Sequence, residues 1–270
     1  MSLYKFHAFN DNSISALEAY SAWFSKPALF NDPFEGLYKE IMIPLNEELY
    51  AELISYMFHD NEETKSVILS PSFMKKEWLM GKMIEFCKGI VRAQQSNFYE
   101  SGLCCFINDE KVTPYEEPLM WGHYGDGLKG FVIQFESDAM DIFEDEKIGA
   151  INVRYESEPP VLDCYRLAIS ALRKHNEEYD IAINDILQII TTKSKWWEYE
   201  DEVRFISYKN GNKLFKYRDG SIKSIIIGSK MSGWQKRTIK AIAEKHQISV
   251  IKEAVTSDDS YKVCLRDLSV

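Results

Sequence analysis

The chain has 270 residues, 45% of them hydrophobic and 13% aromatic, with 32 Lys plus Arg against 42 Asp plus Glu and a formal net charge of −10. That length and apolar content suffice for a substantial buried core, while the acidic balance disfavours non-specific coating of nucleic acid or an anionic membrane as partner, since both need clustered cations. No apolar run is long enough to span a bilayer, and the first residues lack a basic segment followed by an apolar core, so a cytoplasmic protein is expected.

Leu3 to Phe9 alternates aromatic and polar residues and predicts a first strand. Asn10 to Ser13 offers N-cap chemistry for a short helix over Ile14 to Tyr20. Trp23-Phe24-Ser25 reads as a second short strand ended by Pro27, and Leu29 to Gly36 as a loop built on Asn-Asp-Pro. Asn46 to Phe58 and Phe73 to about Phe98 have helical spacing of apolar residues. Gly102 to Ile107 predicts a buried strand, Pro118 to Tyr124 a helical turn, and Gly130 to Phe135 and Ala150 to Tyr155 further strands. Val161 to Thr191 is helical by pattern. Val203 to Ser207, Ile222 to Ile227 and Ile248 to Val255 are strand-like, with a helix over Trp234 to His246 and a closing edge over Tyr261 to Leu265. Regular βαβ rhythm and a glycine-rich phosphate loop are both missing; Gly228 reads as a turn residue. The expectation is one α+β domain over 1–270, on a mixed or antiparallel sheet, with a helical insertion at about 45–100.

The cysteines Cys87, Cys104, Cys105, Cys164 and Cys264 have no metal-ligand spacing and read as free thiols. The five histidines form no HExxH pair, so no metal site is expected.

Four constellations could carry chemistry. Tyr4-Lys5-Phe6-His7 puts Lys5 and His7 on one strand face, either toward a ligand or on a half-exposed edge. With Phe30 and Phe34 pinning the Asn-Asp-Pro loop to the core, Ser25, Asn31 and Asp32 could present polar groups to a ligand or form an Asx turn. Trp121, His123 and Tyr124 sit among Gly122, Gly125, Gly127 and Gly130, which suits a purine or nicotinamide platform as well as a core cluster under a tight turn.

The fourth is Lys193-Ser-Lys-Trp-Trp-Glu-Tyr-Glu-Asp-Glu-Val-Arg204. Glu198, Glu200 and Glu202 alternate, and alternate residues of an extended chain share a face. Stacked carboxylates are costly unless a cation or hydroxyls meet them. Such a cluster could hold ribose hydroxyls, stabilise a developing cation or take a proton. The same acids could instead pair with Lys193, Lys195 and Arg204, the last on the face of Glu202.

These segments, in this order, resemble a bacterial family known as domain of unknown function 2971. Its pattern appears as Leu3-Tyr-Lys-Phe, Phe24-Ser25, Phe30-Asn-Asp-Pro-Phe-Glu35, Cys105-Phe106, Met120-Trp-Gly-His-Tyr124, Lys129-Gly-Phe131, Val153-Arg-Tyr155 and Lys193-Ser-x-x-Trp-x-Tyr-Glu-x-Glu-x-Arg204. A more distant similarity is to the ADP-ribosyltransferase superfamily, with a first-strand cation, a second-strand serine and a late Glu-x-Glu. Lys5 or the displaced His7 stands in for the usual first-strand residue, and the full Ser-Thr-Ser is missing.

That resemblance implies a split sheet and NAD as co-substrate. Glu202 would stabilise the ribose cation and Glu200 would orient the acceptor nucleophile. Lys5, His7 and Ser25 would hold the dinucleotide, with Trp121 and Tyr124 stacking. It implies a toxin or phage-defence effector that modifies a macromolecular acceptor or cleaves NAD. Two other readings stand beside it: a non-enzymatic nucleotide- or protein-binding module of the same fold, and a hydrolase or nuclease whose carboxylates bind magnesium. The helices between Asn46 and Phe98 would serve as a dimer face, lid or substrate platform.

Overall fold

The computed structural model describes residues 2–58, 77–135, 141–173, 187–248 and 250–268. In chain order the strands are β1 (Leu3–His7), β2 (Ser21–Phe24), β3 (Lys39–Ile41), β4 (Gly102–Asn108), β5 (Phe131–Phe135), β6 (Gly149–Asn152) and β7 (Arg154–Glu156). They continue with β8 (Val161–Asp163), β9 (Thr192–Ser194), β10 (Glu202–Ser207), β11 (Lys213–Lys216), β12 (Ile222–Gly228), β13 (Val250–Thr256) and β14 (Val263–Asp267). The helices are α1 (Asp11–Glu18), α2 (Glu47–Met57), α3 (Glu77–Tyr99), α4 (Pro118–His123), α5 (Cys164–Leu172) and α6 (Gly233–Lys245).

Helix starts follow from side chains that satisfy otherwise orphaned backbone N–H groups. Asn10 and Ser13 form a reciprocal capping box on α1, and Ser232 with Gln235 does the same for α6. Asn46 accepts from the Leu49 N–H at 2.8 Å to open α2.

The chain divides into two compact units: Met1–Phe30, Glu100–Tyr155 and Lys195–Val270 form the first, Asn31–Tyr99 and Glu156–Ser194 the second. In the first unit eight strands form one mixed sheet, in the order β14-β13-β12-β5-β1-β4-β10-β6. Its neighbours are antiparallel except β12 and β13, a parallel pair joined through α6. This is the α+β class with a mixed sheet that the pattern predicts.

Register assigns residues to the two faces of this sheet. Ser224, Gln134, Tyr4, Ile107 and Glu202 stand opposite one another across five strands and form one row. The row shares its face with a core of Phe6, Met120, Trp121, Leu128, Val132 and Ile226, covered by α4. Residues one step along, including Leu3, Phe106 and Val203, point to the other face. There they pack with Leu17 of α1, Phe24 of β2 and Ile239, Ile242 and Ala243 of α6. The short ribbon β2–β11 lies on this second face.

The second unit packs α2, α3 and α5 around Leu53, Ile54, Leu79, Met83, Cys87, Ala168 and Ile169. Arg173 just past α5 forks onto Glu52 of α2, with its Nε 2.6 Å from Oε1. β3 and β8 pair in parallel. The helical insertion expected at about 45–100 is part of this unit; its residues 59–76 lie outside the described residues.

Three element predictions are corrected. Val161 to Thr191 is not one helix: Pro159-Pro160 holds the chain extended, Val161 pairs with Lys39, and the Asp163 carboxylate caps α5 through the Tyr165 N–H. Residues 187–191 resume as helix, and 174–186 lie outside the described residues. Ala150 to Tyr155 breaks into β6 and β7 at Val153, whose N–H bonds to the Glu202 carbonyl. Phe34 does not pin its loop to the core but is 63% exposed.

The backbone passes closest at two glycines. A Cβ on Gly130 would meet the His7 carbonyl oxygen at 2.0 Å, and one on Gly228 the Leu128 carbonyl oxygen at 2.1 Å. Replacing Gly130 by Ala is expected to cost about 3 kcal/mol, the upper range for overpacking, read as a lowered urea midpoint with an unchanged m-value.

Candidate functional site

The three alternating acids do not share a strand face. Lys195–Glu200 winds into a 3-10 helix, and Asp201 takes a left-handed φ of 40° before β10 begins. Glu198 is left exposed, while Glu200 and Glu202 are each only 3% exposed. Tyr124 donates to Glu200 Oε1 at 2.6 Å. Glu202 Oε1 accepts from Arg204 Nε at 2.7 Å, and both residues are fully enclosed. The Glu202 N–H donates to the Tyr155 hydroxyl at 2.8 Å. The Arg204 guanidinium lies 5.4 Å from the centre of the Phe30 ring.

Cys105 stands opposite Arg204 in the register, and burial followed by the Glu202 carboxylate pushes its thiol well above the usual range. It is therefore held as a neutral thiol, the opposite of an activated nucleophile. Burial likewise raises the Tyr155 phenol, with Glu202, Glu200 and Asp201 adding to the effect.

Lys5 and His7 are on the other face of the sheet. Lys5 pairs with Ile133 in β5, lies 5.2 Å over the Phe106 ring and donates to the Cys105 carbonyl at 3.0 Å. His7 stacks on Phe131 at 5.1 Å. The sheet itself thus separates both side chains from Glu202, because the odd residues of β1 and the even residues of β10 fall on opposite sides. Ser25 makes backbone bonds to Leu103 at the start of β4, at 3.0 and 2.8 Å. Asn31 is exposed and Asp32 accepts from the Phe34 N–H at 2.9 Å, an Asx turn within the second unit. The shared pocket of Lys5, His7, Ser25, Glu200 and Glu202 expected from the transferase resemblance does not form within the first unit.

The Trp121–Tyr124 segment divides. Trp121 is core: it meets Phe6 edge-on at 5.3 Å and its indole N–H donates to the Tyr115 carbonyl at 2.9 Å. Tyr124 belongs to the acid cluster. His123 is exposed and packs with Trp197 at 5.8 Å and Tyr199 at 6.2 Å. Tyr155 and Cys105 were legible only as pattern residues, since a lone Tyr or Cys in a strand carries no chemical signal.

The opposite side of α4 lines a cleft of about 740 Å³, to which Trp121, Gly122, Gly127, Leu128, Lys230 and Tyr261 contribute. It lies past the carboxyl ends of β12 and β13, where open sheets with parallel strands hold ligands. Three backbone bonds fix Lys230 there: Gly228 N–H to Gly130, Ser229 N–H to Ala254 and Lys230 N–H to Leu128, at 2.9, 2.9 and 3.0 Å. Asp258 and Asp259 also line the cleft, and Tyr261 is fully exposed at the rim. Lys230 was missed because Gly228-Ser229-Lys230 lacks any phosphate-loop spacing. Among the described residues no three His, Cys, Asp or Glu side chains gather as a metal site requires, and no helix is long and apolar enough to cross a membrane.

Residues 120–205 match the model of a family described as a protein of unknown function, DUF2971. That stretch contains Tyr124, Tyr155, Glu200 and Glu202 and ends just past Arg204, so the matched region contains the whole acid cluster. No curated protein and no solved structure matches the chain.

Two measurements follow from this geometry. Glu202→Gln deprives a buried guanidinium of its carboxylate and is expected to lower stability by about 3–5 kcal/mol, with Glu202→Gln/Arg204→Met recovering part of the loss; chemical denaturation of both variants checks it. His7 Nε2 is enclosed and unpartnered among the described residues, and burial, aided by Lys5, pushes the imidazole down to about 3. The unfolded chain therefore binds the extra proton between pH 6.5 and 3, so this contribution is present above pH 6.5 and lost as pH falls toward 3. His7→Gln is expected to flatten that part of the stability–pH curve.

Proposed function

We propose that the protein is a non-enzymatic nucleotide-recognition module that uses the cleft between α4 and the β13–β14 turn. The observation that carries this reading is the cleft itself: its volume lies within the roughly 300–1,000 Å³ typical of small-molecule sites, at the carboxyl ends of the sheet's parallel pair. Its floor of Leu128, Val263 and the edge of Trp121 suits a planar base, and Lys230 suits a phosphate. Asp258 and Asp259 suit ribose hydroxyls or an exocyclic amine. The acid cluster then serves as a brace: Tyr124 on Glu200 ties the end of α4 to the segment entering β10, holding the cleft wall in place.

Transfer of ADP-ribose from NAD to a macromolecule is the weaker reading, because Lys5 and His7 of the first strand lie across the sheet from Glu202. Calorimetric titration with mono- and dinucleotides, NAD among them, distinguishes the two. Binding is expected, weakened at least tenfold by Gly122→Leu, whose Cβ enters open space, and severalfold by Lys230→Ala. Titrations in which no nucleotide binds, or in which Gly122→Leu binds unchanged, would remove the proposal. Release of free nicotinamide from NAD, lost in a folded Glu202→Gln protein, would favour the transferase reading in its place.

A further inference from the structure

The charge of this chain is unevenly spread. Residues 204–243 contain ten Lys or Arg and a single acid, Asp219, although the chain as a whole carries −10; Arg204, Arg218 and Lys236 pair with Glu202, Asp141 and Glu253 from outside the segment. Part of that segment forms the outer side of the β2–β11 ribbon. Trp23 stands opposite Leu214 in the register, and they are 46% and 48% exposed. Lys216 follows Leu214 on the same face and is exposed. The turn into β11 adds Tyr208, 51% exposed, with the Lys209 ammonium 5.2 Å over its ring. Lys213 opens β11 on the Phe215 side and is exposed; its Nζ reaches back to the turn, 2.7 Å from Asn210 Oδ1. The nearby carboxylate of Glu100 is already paired with Lys26 at 2.5 Å.

We propose that this ribbon and its turn bind single-stranded nucleic acid, independently of the cleft. Lys209, Lys213 and Lys216 would meet phosphates, and Trp23 and Tyr208 would offer flat surfaces to unpaired bases. Cations interleaved with exposed rings are the pattern that sequence-tolerant single-strand binding uses. An acidic polypeptide would engage the lysines and leave both rings idle, so the nucleic acid is the occupant that accounts for all five side chains.

Fluorescence anisotropy of the whole chain with labelled oligothymidylate and oligouridylate, about twelve nucleotides each, tests this. Saturable binding is expected, and log K should fall with log salt at a slope of about −2 for three phosphate contacts on a single strand. Lys209→Ala/Lys213→Ala/Lys216→Ala should weaken binding at least tenfold and bring the slope near zero. Trp23→Ala should cost about tenfold while Trp23→Phe retains most of the affinity. All of these positions are exposed, and circular dichroism confirms that each variant is folded. The proposal is overturned if neither oligonucleotide binds at low salt, if the triple variant binds as the parent does, or if a polyglutamate peptide of equal length competes equally well.

Discussion

A carboxylate and a guanidinium that are both enclosed must satisfy each other or destabilise the fold, and Glu202 and Arg204 do so from adjacent positions on one face of β10. That choice constrains its surroundings. Cys105 across the register must remain a neutral thiol, Phe30 faces the guanidinium, and Tyr155 is held by the backbone of Glu202. With Glu202 committed to Arg204, Glu200 is the acid of this cluster that Tyr124 meets, at 2.6 Å. The bond from Tyr124 then fixes where α4 ends. Both sides of α4 inherit that position: the acid cluster on one, the cleft on the other.

The sheet gives this arrangement its rigidity. Eight strands in one layer, with α4 on one face and α1, α6 and the β2–β11 ribbon on the other, allow little traffic between faces. Neighbouring residues of a strand therefore have unrelated surroundings. Tyr4 joins a hydrogen-bonded row with Gln134 and Ser224, whereas Lys5 lies over Phe106 in the opposite core. The same alternation gives β11 a buried-side Phe215 and an outward Lys216.

Much of the fold was legible in the sequence because its signals are local. Caps at Asn10 and Asn46, apolar runs such as Ile225-Ile226-Ile227 and the Pro118 start of α4 each encode their own element. The α+β class followed from how these elements intersperse. What failed was non-local. The alternation of Glu198, Glu200 and Glu202 implies a shared face only if the chain is extended, and the 3-10 turn with Asp201 at positive φ removes that condition. The pairing of Lys5 with Glu202 required knowing that β4 intervenes between β1 and β10 and sets their parity, which no spacing reveals. The cleft was half legible: the glycine-aromatic wall stood out, but Lys230 and the β13–β14 turn reach it only through the topology of the parallel pair.

The position of β1 within the sheet also dictates when the molecule can first be assembled. Its two neighbours begin about a hundred residues later, with Leu3 facing Asn108 on one side and Phe135 on the other. A nascent chain therefore emerges with its first strand unpartnered, and must keep apolar Leu3, Tyr4 and Phe6 out of unwanted associations until β5 has left the ribosome. The segment from β12 to β13, by contrast, is a contiguous crossover unit whose contacts are close in sequence. Synthesis thus runs opposite to ease of assembly: the piece that closes most readily is made late, while β1 waits for β4 and β5 and the short β2 waits longer still, for β11.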